Sequence, residues 1–247
     1  MQGAFRLFRF GGIQVYLHFS WFIVAAIEIQ RASLYSSKVW AAYEYIALFA
    51  IVLLHEFGHA FACRQTGGHA DRIVLWPLGG IAFVDPPRRP GAVLWSIAAG
   101  PLVNVVLIPV LSLVLAASAG AAQETPDFYL LVYHIWQINL VLLIFNILPV
   151  YPLDGGQILR ALLWFPLGEI RSLQIASVLG LVGAIILAVL ALFLQIMQPI
   201  WVVVMAFFLI SRAIAGWQYA KALVLEEEAN RAARLVPIVP HSDRESL

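Results

Sequence analysis

The sequence predicts an all-α polytopic membrane protein. Hydrophobic residues make up 62% of the 247 residues and charged residues only 12%, whereas soluble domains carry about 25% charged residues. A soluble protein of this length could not bury so much apolar surface. The expected partner is therefore a lipid bilayer, and a net charge of +1 gives no reason to expect a nucleic acid. The single cysteine, Cys63, excludes a disulfide within the chain.

Six segments are long and apolar enough to be membrane-spanning helices, which need about 20 mostly apolar residues. They lie near 15–30, 40–63, 92–117, 128–148, 173–195 and 199–219. The first is the shortest, and Arg6 and Arg9 before it are also typical of a signal peptide. Because no suitable cleavage site follows, a first spanning helix is favoured. We expect one membrane domain, residues 1–221 with its core at 40–160, followed by a cytoplasmic tail, residues 222–247.

Two connections between these segments are predicted to be structured. Residues 73–76 and 81–84 are β-prone runs around Pro77-Leu78-Gly79-Gly80, which predicts a small β-hairpin between helices 2 and 3. Residues 149–156 contain two prolines and two glycines, so helix 4 is predicted to break near Asn146. Non-helical backbone at membrane depth is tolerated only where it is buried in protein or lines an aqueous cavity. The break can therefore bring Asp154 into such a cavity.

Basic residues predict the orientation, because cytoplasmic loops of membrane proteins are enriched in Lys and Arg. With six spans and a cytoplasmic N-terminus, only Arg31 and Lys38 of the 15 basic residues lie on the outer side of the membrane. Both termini are then cytoplasmic, and helix 2 runs from the outside towards the cytoplasm.

Helix 2 contains three ionisable residues, His55, Glu56 and His59, directly after a run, residues 46–54, with no polar side chain. A charged group near the bilayer centre costs at least ~2.5 kcal/mol, so these residues need a functional reason. Histidines four positions apart lie on one helix face and can bind one metal ion, and the glutamate beside them is a candidate general base.

A catalytic zinc ion usually has three protein ligands and one open position. Asp154 is the best candidate for the third ligand, because the predicted topology places it at the same depth and side as the histidines. Cys63 is a rival on the same helix face, but it lies about 12 Å along the helix from His55. It is predicted to be a small packing residue.

This ligand set predicts hydrolysis by a zinc-activated water. Glu56 would accept the proton of that water and later deliver it to the leaving amine. On the residues alone, proteolysis is favoured, and other metallohydrolases or a metal transporter stay open as alternatives.

The chain resembles the site-2 protease family of intramembrane zinc metalloproteases, of peptidase M50 type. Four segments carry this resemblance in the family's order: HEFGHA at 55–60, PLGGIA at 77–82, AGPLVN at 99–104, and FNILP at 145–149 with PLDGG at 152–156. The resemblance implies one Zn²⁺ per chain bound by His55, His59 and Asp154, with Glu56 as the catalytic acid–base. It is closest to bacterial and archaeal members, including the type that processes a sporulation factor.

The resemblance also implies a location and a partner. The expected location is a prokaryotic cell (inner) membrane, with the active site towards the cytoplasm. The expected substrates are membrane proteins that are cleaved in or near their transmembrane segments. No PDZ insertion or CBS domain is recognisable, so regulation by either is not expected. The competing hypothesis is an inactive scaffold or a metal-handling protein of the same fold, but a carrier would need ligands and no general base.

Several further polar and small residues are candidates for substrate contact, helix packing or hydrogen bonding. Asn146 either holds substrate backbone, which is favoured, or caps the broken helix. Gly79 and Gly80 either form a platform to which an extended substrate adds as a strand, or are only a tight turn.

Three residues of helix 3 are predicted to pack against helix 2, since small residues let membrane helices approach closely; they are Gly100, Pro101 and Asn104. Two histidines are predicted to form interfacial hydrogen bonds and Glu44 to be solvated; the histidines are His18 and His134.

Overall fold

The computed structural model describes residues 3–31, 34–76, 79–195 and 199–235. The helices and strands in these residues are β1 (Ala4–Phe10), β2 (Ile13–His18), α1 (Ser20–Arg31), α2 (Lys38–Gln65), β3 (His69–Trp76), β4 (Gly79–Asp85), α3 (Pro90–Ala117), α4 (Ala121–Glu124), α5 (Pro126–Ile147), α6 (Asp154–Leu167), α7 (Glu169–Phe193) and α8 (Pro199–Leu235). Within the described part of the chain, five helices are long and apolar enough to cross a membrane, namely α2, α3, α5, α7 and α8.

The first predicted spanning helix, residues 15–30, differs from the structure. Its first residues belong to strand β2, and the helix that follows, α1, has only 12 residues. A helix of that length spans about 18 Å, whereas the hydrocarbon core of a bilayer is about 30 Å thick. The six predicted helical spans are therefore reduced to five in the described residues.

The N-terminal segment nevertheless runs back alongside α2. Near the C-terminal end of α2, Arg64 donates hydrogen bonds to the carbonyl oxygens of Gly11 and Gly12. Further up the same helix, the hydroxyl of Tyr45 donates to the carbonyl oxygen of Trp21 at 2.9 Å. Arg64 and Tyr45 are separated by about 28 Å along the helix axis. Residues 11–21 thus cover most of the length of α2, first as a strand and then as a helix.

The predicted hairpin at residues 73–84 is confirmed, and it belongs to a larger sheet. The sheet has the order β1-β2-β3-β4, with β1–β2 and β3–β4 antiparallel and β2–β3 parallel. Buried and half-buried residues alternate from Ile13 to Leu17 along β2, an inner strand of the sheet. Its residues Ile13, Val15 and Leu17 are buried against α2 and β3. Because β2 is paired on both sides, its backbone polar groups are satisfied within the protein, as a membrane environment requires. Strand β4 is the edge strand next to α2.

The predicted break in helix 4 is also confirmed. Helix α5 ends at Ile147, and the chain resumes a helix at Asp154, the first residue of α6. Helices α2 and α3 pack closely at Gly58, where an added Cβ would lie 2.6 Å from the carbonyl oxygen of Ala99. Helix α8 continues past residue 221, so the predicted boundary between the membrane domain and the tail lies inside a helix.

The polar residues at the other end of α2 are partnered. Glu44 accepts a hydrogen bond from the hydroxyl of Tyr35, and its carboxylate lies 3.0 Å from Nδ1 of His134. Glu44 was expected to be solvated, but it is only half-exposed and links the α1–α2 loop to α5. Burial and this hydrogen bond raise the pKa of the Tyr35 phenol. The expected hydrogen bonding of the two peripheral histidines is found, since His18 lies 2.5 Å from the hydroxyl of Ser20.

Candidate metal centre

Helix α2 presents two imidazoles on one face. His55 and His59 are 3% and 6% exposed, and their Nε2 atoms lie 3.1 Å apart. The helical repeat places positions i and i+4 one above the other, so this juxtaposition follows from the sequence once residues 38–65 form one helix.

Asp154 reaches the same point from the start of α6. Its Oδ2 atom lies 3.0 Å from Nε2 of His55 and 3.4 Å from Nε2 of His59. The chain can turn back so sharply because Gly155 and Gly156 follow: an added Cβ would lie 2.1 Å from the carbonyl oxygen of Ile147 at the first position and 2.3 Å from the amide nitrogen of Tyr151 at the second. Side chains from two separate helices thus converge on one point.

The three converging atoms fit a metal ion. Zinc–nitrogen and zinc–oxygen bonds of about 2.0–2.1 Å in a tetrahedron separate the ligand atoms by about 3.3–3.4 Å. The observed separations of 3.0, 3.1 and 3.4 Å are close to this edge length. Among the described residues, no other group of three histidine, cysteine or acidic side chains meets in this way.

Each histidine is held through its second ring nitrogen. Nδ1 of His59 lies 2.9 Å from the backbone carbonyl oxygen of Ser96, and Nδ1 of His55 lies 2.6 Å from Oδ1 of Asn104. Such contacts orient the ring and leave Nε2 free to bind a metal. Asn104 therefore does more than pack α3 against α2. Gly100 does provide the predicted close approach, because a Cβ there would lie 2.3 Å from Nε2 of His59.

Glu56 points to the sheet. Its carboxylate is buried and accepts a hydrogen bond from the backbone amide of Ala82 in β4, at 2.8 Å. Gly80, two residues earlier in β4, leaves the space for this carboxylate, because an added Cβ would lie 2.2 Å from Cγ of Glu56. The edge strand and the candidate base are thus in direct contact.

The remaining candidates lie around this centre. Cys63 is fully buried, and its Sγ contacts the carbonyl oxygen of His69 at 3.5 Å, outside the three-atom group, as expected for a packing residue. Gly79 and Gly80 are the first residues of β4 and pair with Trp76 and Leu75. Asn146 lies in the last turn of α5 and is half-buried, and its side chain makes no hydrogen bond to any residue that the structure describes.

Comparison with known proteins assigns the chain to a family. The sequence model described as Peptidase family M50 matches residues 43–129 and 114–190, a region that runs from the first turns of α2 almost to the end of α7. The chain belongs to peptidase family M50. All the residues of the candidate metal centre lie inside the matched region, whereas the N-terminal hairpin and α8 lie outside it.

Individual M50 relatives agree with this assignment. A zinc metalloprotease of Methanocaldococcus jannaschii is 34% identical over 180 residues, which cover 73% of this chain and 51% of the relative. Stage IV sporulation protein FB of Bacillus subtilis is 35% identical over 119 residues, which cover 46% of this chain and 38% of the relative. The chain thus spans about half the length, or less, of these two curated relatives.

A solved structure of similar fold is a site-2 protease from Methanocaldococcus jannaschii. It has a TM-score of 0.60 and 28% sequence identity to this chain, and the alignment covers 87% of this chain and 95% of that one. The similarity therefore extends over nearly the whole fold, including elements outside the M50 match.

One residue of the centre escaped the sequence analysis. Asn139 in α5 is fully buried and hydrogen-bonded to Asn104. A signal was present, because Asn139 is a polar residue in an apolar span and lies two helical turns before Asn146.

Proposed function

We propose that this chain is an intramembrane zinc metalloprotease that hydrolyses peptide bonds in or near transmembrane segments of membrane proteins. The observation that carries the proposal is the convergence of His55, His59 and Asp154 beside the buried carboxylate of Glu56. Membership of the M50 family and the names of its relatives support zinc as the metal and a protease as the activity.

Each residue of the centre would have a separate role in metal binding or proton transfer. His55, His59 and Asp154 would hold the zinc ion, which when bound polarises a carbonyl group and lowers the pKa of water. Glu56 would accept the proton of the attacking water and donate it to the leaving amine. Its hydrogen bond from Ala82 fixes the carboxylate in place before substrate arrives.

The edge strand β4 and Asn146 are proposed to hold the substrate. An extended peptide could add to the edge of β4, as peptides do at other exposed sheet edges. Because β4 also binds Glu56, a substrate paired with this strand would have its scissile bond close to the candidate base. Asn146 has a carboxamide without a partner among the described residues, beside the break that leads to Asp154, and this favours contact with substrate backbone over helix capping.

The test of the catalytic assignment uses purified full-length chain and a model transmembrane substrate. Glu56→Gln should keep stoichiometric zinc and reduce the cleavage rate by about 10²–10⁴-fold, the typical contribution of general acid–base catalysis. Glu44→Gln makes the same chemical change at the other end of α2 and should leave cleavage unchanged. Equal cleavage by wild type and Glu56→Gln would show that Glu56 is not the base.

The same preparation tests the ligand and substrate roles. Asp154→Asn should lower zinc affinity together with cleavage, and full zinc affinity in this variant would contradict its role as a ligand. Asn146→Leu should lower kcat/KM while zinc content stays at the wild-type level. A zinc loss in Asn146→Leu would instead point to a structural role for this side chain.

We also propose that the N-terminus, the C-terminal part of α8 and the metal centre lie towards the cytoplasm of a prokaryotic cell. Most basic residues lie in segments that the predicted topology places on that side, and Arg64 binds the turn of the N-terminal hairpin, Gly11 and Gly12, at the C-terminal end of α2.

A further inference from the structure

Two asparagines are completely buried where α3 packs against α5. Asn104 and Asn139 are both 0% exposed, and both lie in helices that are candidate membrane spans. Polar side chains inside a membrane are costly and tend to be functional. The mechanism proposed above uses neither of them directly.

The hydrogen bonds between these side chains have a defined direction. The Nδ2 group of Asn139 lies 3.0 Å from the backbone carbonyl oxygen of Asn104, which can only accept. The other end of that carboxamide, Oδ1, therefore faces Asn104 and accepts from its Nδ2 at 2.8 Å. Asn104 must then direct its own Oδ1 to Nδ1 of His55, at 2.6 Å. One backbone carbonyl thus orients two carboxamides.

The chain of bonds also determines the imidazole tautomer. Because an amide oxygen can only accept, His55 must carry its hydrogen on Nδ1, and its Nε2 lone pair then points to Asp154 and His59. We propose that Asn139, acting through Asn104, is a positioning residue that holds His55 in the tautomer and orientation required to bind the metal. This inference rests on the zinc site of the proposed function and adds a residue to it.

The two histidines differ in the kind of group that binds their Nδ1 atoms. Nδ1 of His59 faces the backbone carbonyl oxygen of Ser96, a partner that no side-chain substitution removes. His55 depends on two side chains. Without Asn139, the carboxamide of Asn104 could turn its amino group to Nδ1 of His55 and favour the wrong tautomer. Substitutions at Asn139 should therefore weaken metal binding through His55 alone.

The test is the zinc dissociation constant of the full-length chain in detergent, measured by competition with a chromophoric chelator. Asn139→Leu and Asn104→Leu should each weaken zinc binding by about 10–100-fold, the range found when outer partners of metal ligands are removed. Asn104→Asp keeps an acceptor for Nδ1 of His55 and should bind zinc within a few-fold of wild type.

Ser112→Ala is the matched control, because it also removes a hydrogen bond between α3 and α5, the one from Nε1 of Trp136 to the Ser112 hydroxyl at 2.9 Å. Ser112 forms no hydrogen bond with His55 among the described residues, so Ser112→Ala should leave zinc affinity unchanged. Weakening by Ser112→Ala as large as that by Asn139→Leu would mean that helix packing, and not positioning, is responsible.

A second measurement needs no substitution at the asparagines. In zinc-free wild-type protein labelled with ¹⁵N-histidine, the resonances assigned to His55 by comparison with His55→Ala should show a hydrogen on Nδ1. The opposite tautomer would overturn the inference even if Asn139→Leu fails to fold. Wild-type zinc binding no tighter than that of His55→Ala would overturn the zinc site itself. Tight wild-type binding with an unaffected Asn139→Leu would overturn only the positioning role.

Discussion

Gly100 and Gly80 shape the centre by leaving space for functional side chains. A Cβ at Gly100 would lie 2.3 Å from Nε2 of His59, and one at Gly80 would lie 2.2 Å from Cγ of Glu56. Real Cβ atoms do not approach other atoms so closely, so any larger residue must displace the imidazole or the carboxylate. These glycines therefore determine where the ligand and the base can lie.

Gly100→Ala should weaken zinc binding. The added methyl group would push the ring of His59 away from Asp154, and the ligand geometry must be maintained within about 0.5 Å to be productive. We expect a loss of at least about tenfold in zinc affinity, measured by chelator competition. Gly91→Ala in the same helix is the control, because the nearest atom to its Cβ is Cζ of Phe165 at 4.0 Å. Equal zinc affinity in the two variants would show that the ring of His59 has room to move.

The convergence of His55, His59 and Asp154 could be predicted because their pattern and chemistry are local. The HExxH spacing brings two histidines together on any helix, and the proline–glycine break locates the carboxylate proposed as the third ligand. The carboxamide chain could not be deduced in the same way, because it depends on which faces of α3 and α5 meet. Only the packed structure shows that Asn139 reaches Asn104 and, through it, His55.

At the level of elements, the N-terminal hairpin was the main feature missed. Residues 5–10 and 13–18 are β-prone runs separated by Gly11-Gly12, which is a two-residue hairpin signal. The apolar composition of residues 15–30 concealed this signal, because a search for 20-residue apolar segments does not separate a strand from a helix that follows it. Both glycines have positive φ angles, 54° and 78°, as such turns require.

Arg64 should determine whether this hairpin stays attached. Its guanidinium joins the turn at Gly11 and Gly12 to the carbonyl oxygen of Ala70 in β3. Hydrogen bonds of a charged donor contribute about 1.5–3 kcal/mol each, so Arg64→Ala should speed amide hydrogen exchange in β1 and β2 by at least about tenfold. Exchange followed by mass spectrometry measures this directly.

The control for Arg64 is Arg72→Ala in β3. Arg72 forms an exposed ion pair with Asp71 at 3.3 Å, and such surface pairs contribute little to stability. It should leave exchange in β1 and β2 near the wild-type rate. If Arg64→Ala also leaves exchange unchanged, strand pairing alone holds the hairpin.

The whole molecule combines five helices that can span a membrane with an N-terminal segment, residues 11–21, that lies along most of α2. Five spans alone would place the two ends of the chain on opposite sides of a membrane. Residues 12–31 run back along α2 as β2 and α1, so the turn of the N-terminal hairpin lies at the C-terminal end of α2, whereas Ala4 lies opposite His18. At the other end of the sequence, Leu223 of α8 packs on Leu173 near the start of α7, and Glu169 at that start accepts a hydrogen bond from Arg88, just before α3. The turn of the N-terminal hairpin and the C-terminal part of α8 therefore lie at the same end of the molecule.

Cysteine accessibility in intact cells should reveal this arrangement. In a Cys63→Ala background, Arg9→Cys beside the hairpin turn and Glu228→Cys in α8 should react with a membrane-impermeant maleimide only after permeabilisation, because both are exposed at the end assigned to the cytoplasm. Ala119→Cys, in the exposed turn after α3, should react in intact cells. The reverse pattern at all three sites would invert the orientation inferred from the basic residues. Labelling of Arg9→Cys together with Ala119→Cys in intact cells would show that residues 11–31 do not cross the membrane. Agreement of Arg9→Cys with Glu228→Cys therefore decides whether a strand and a short helix together form a sixth crossing.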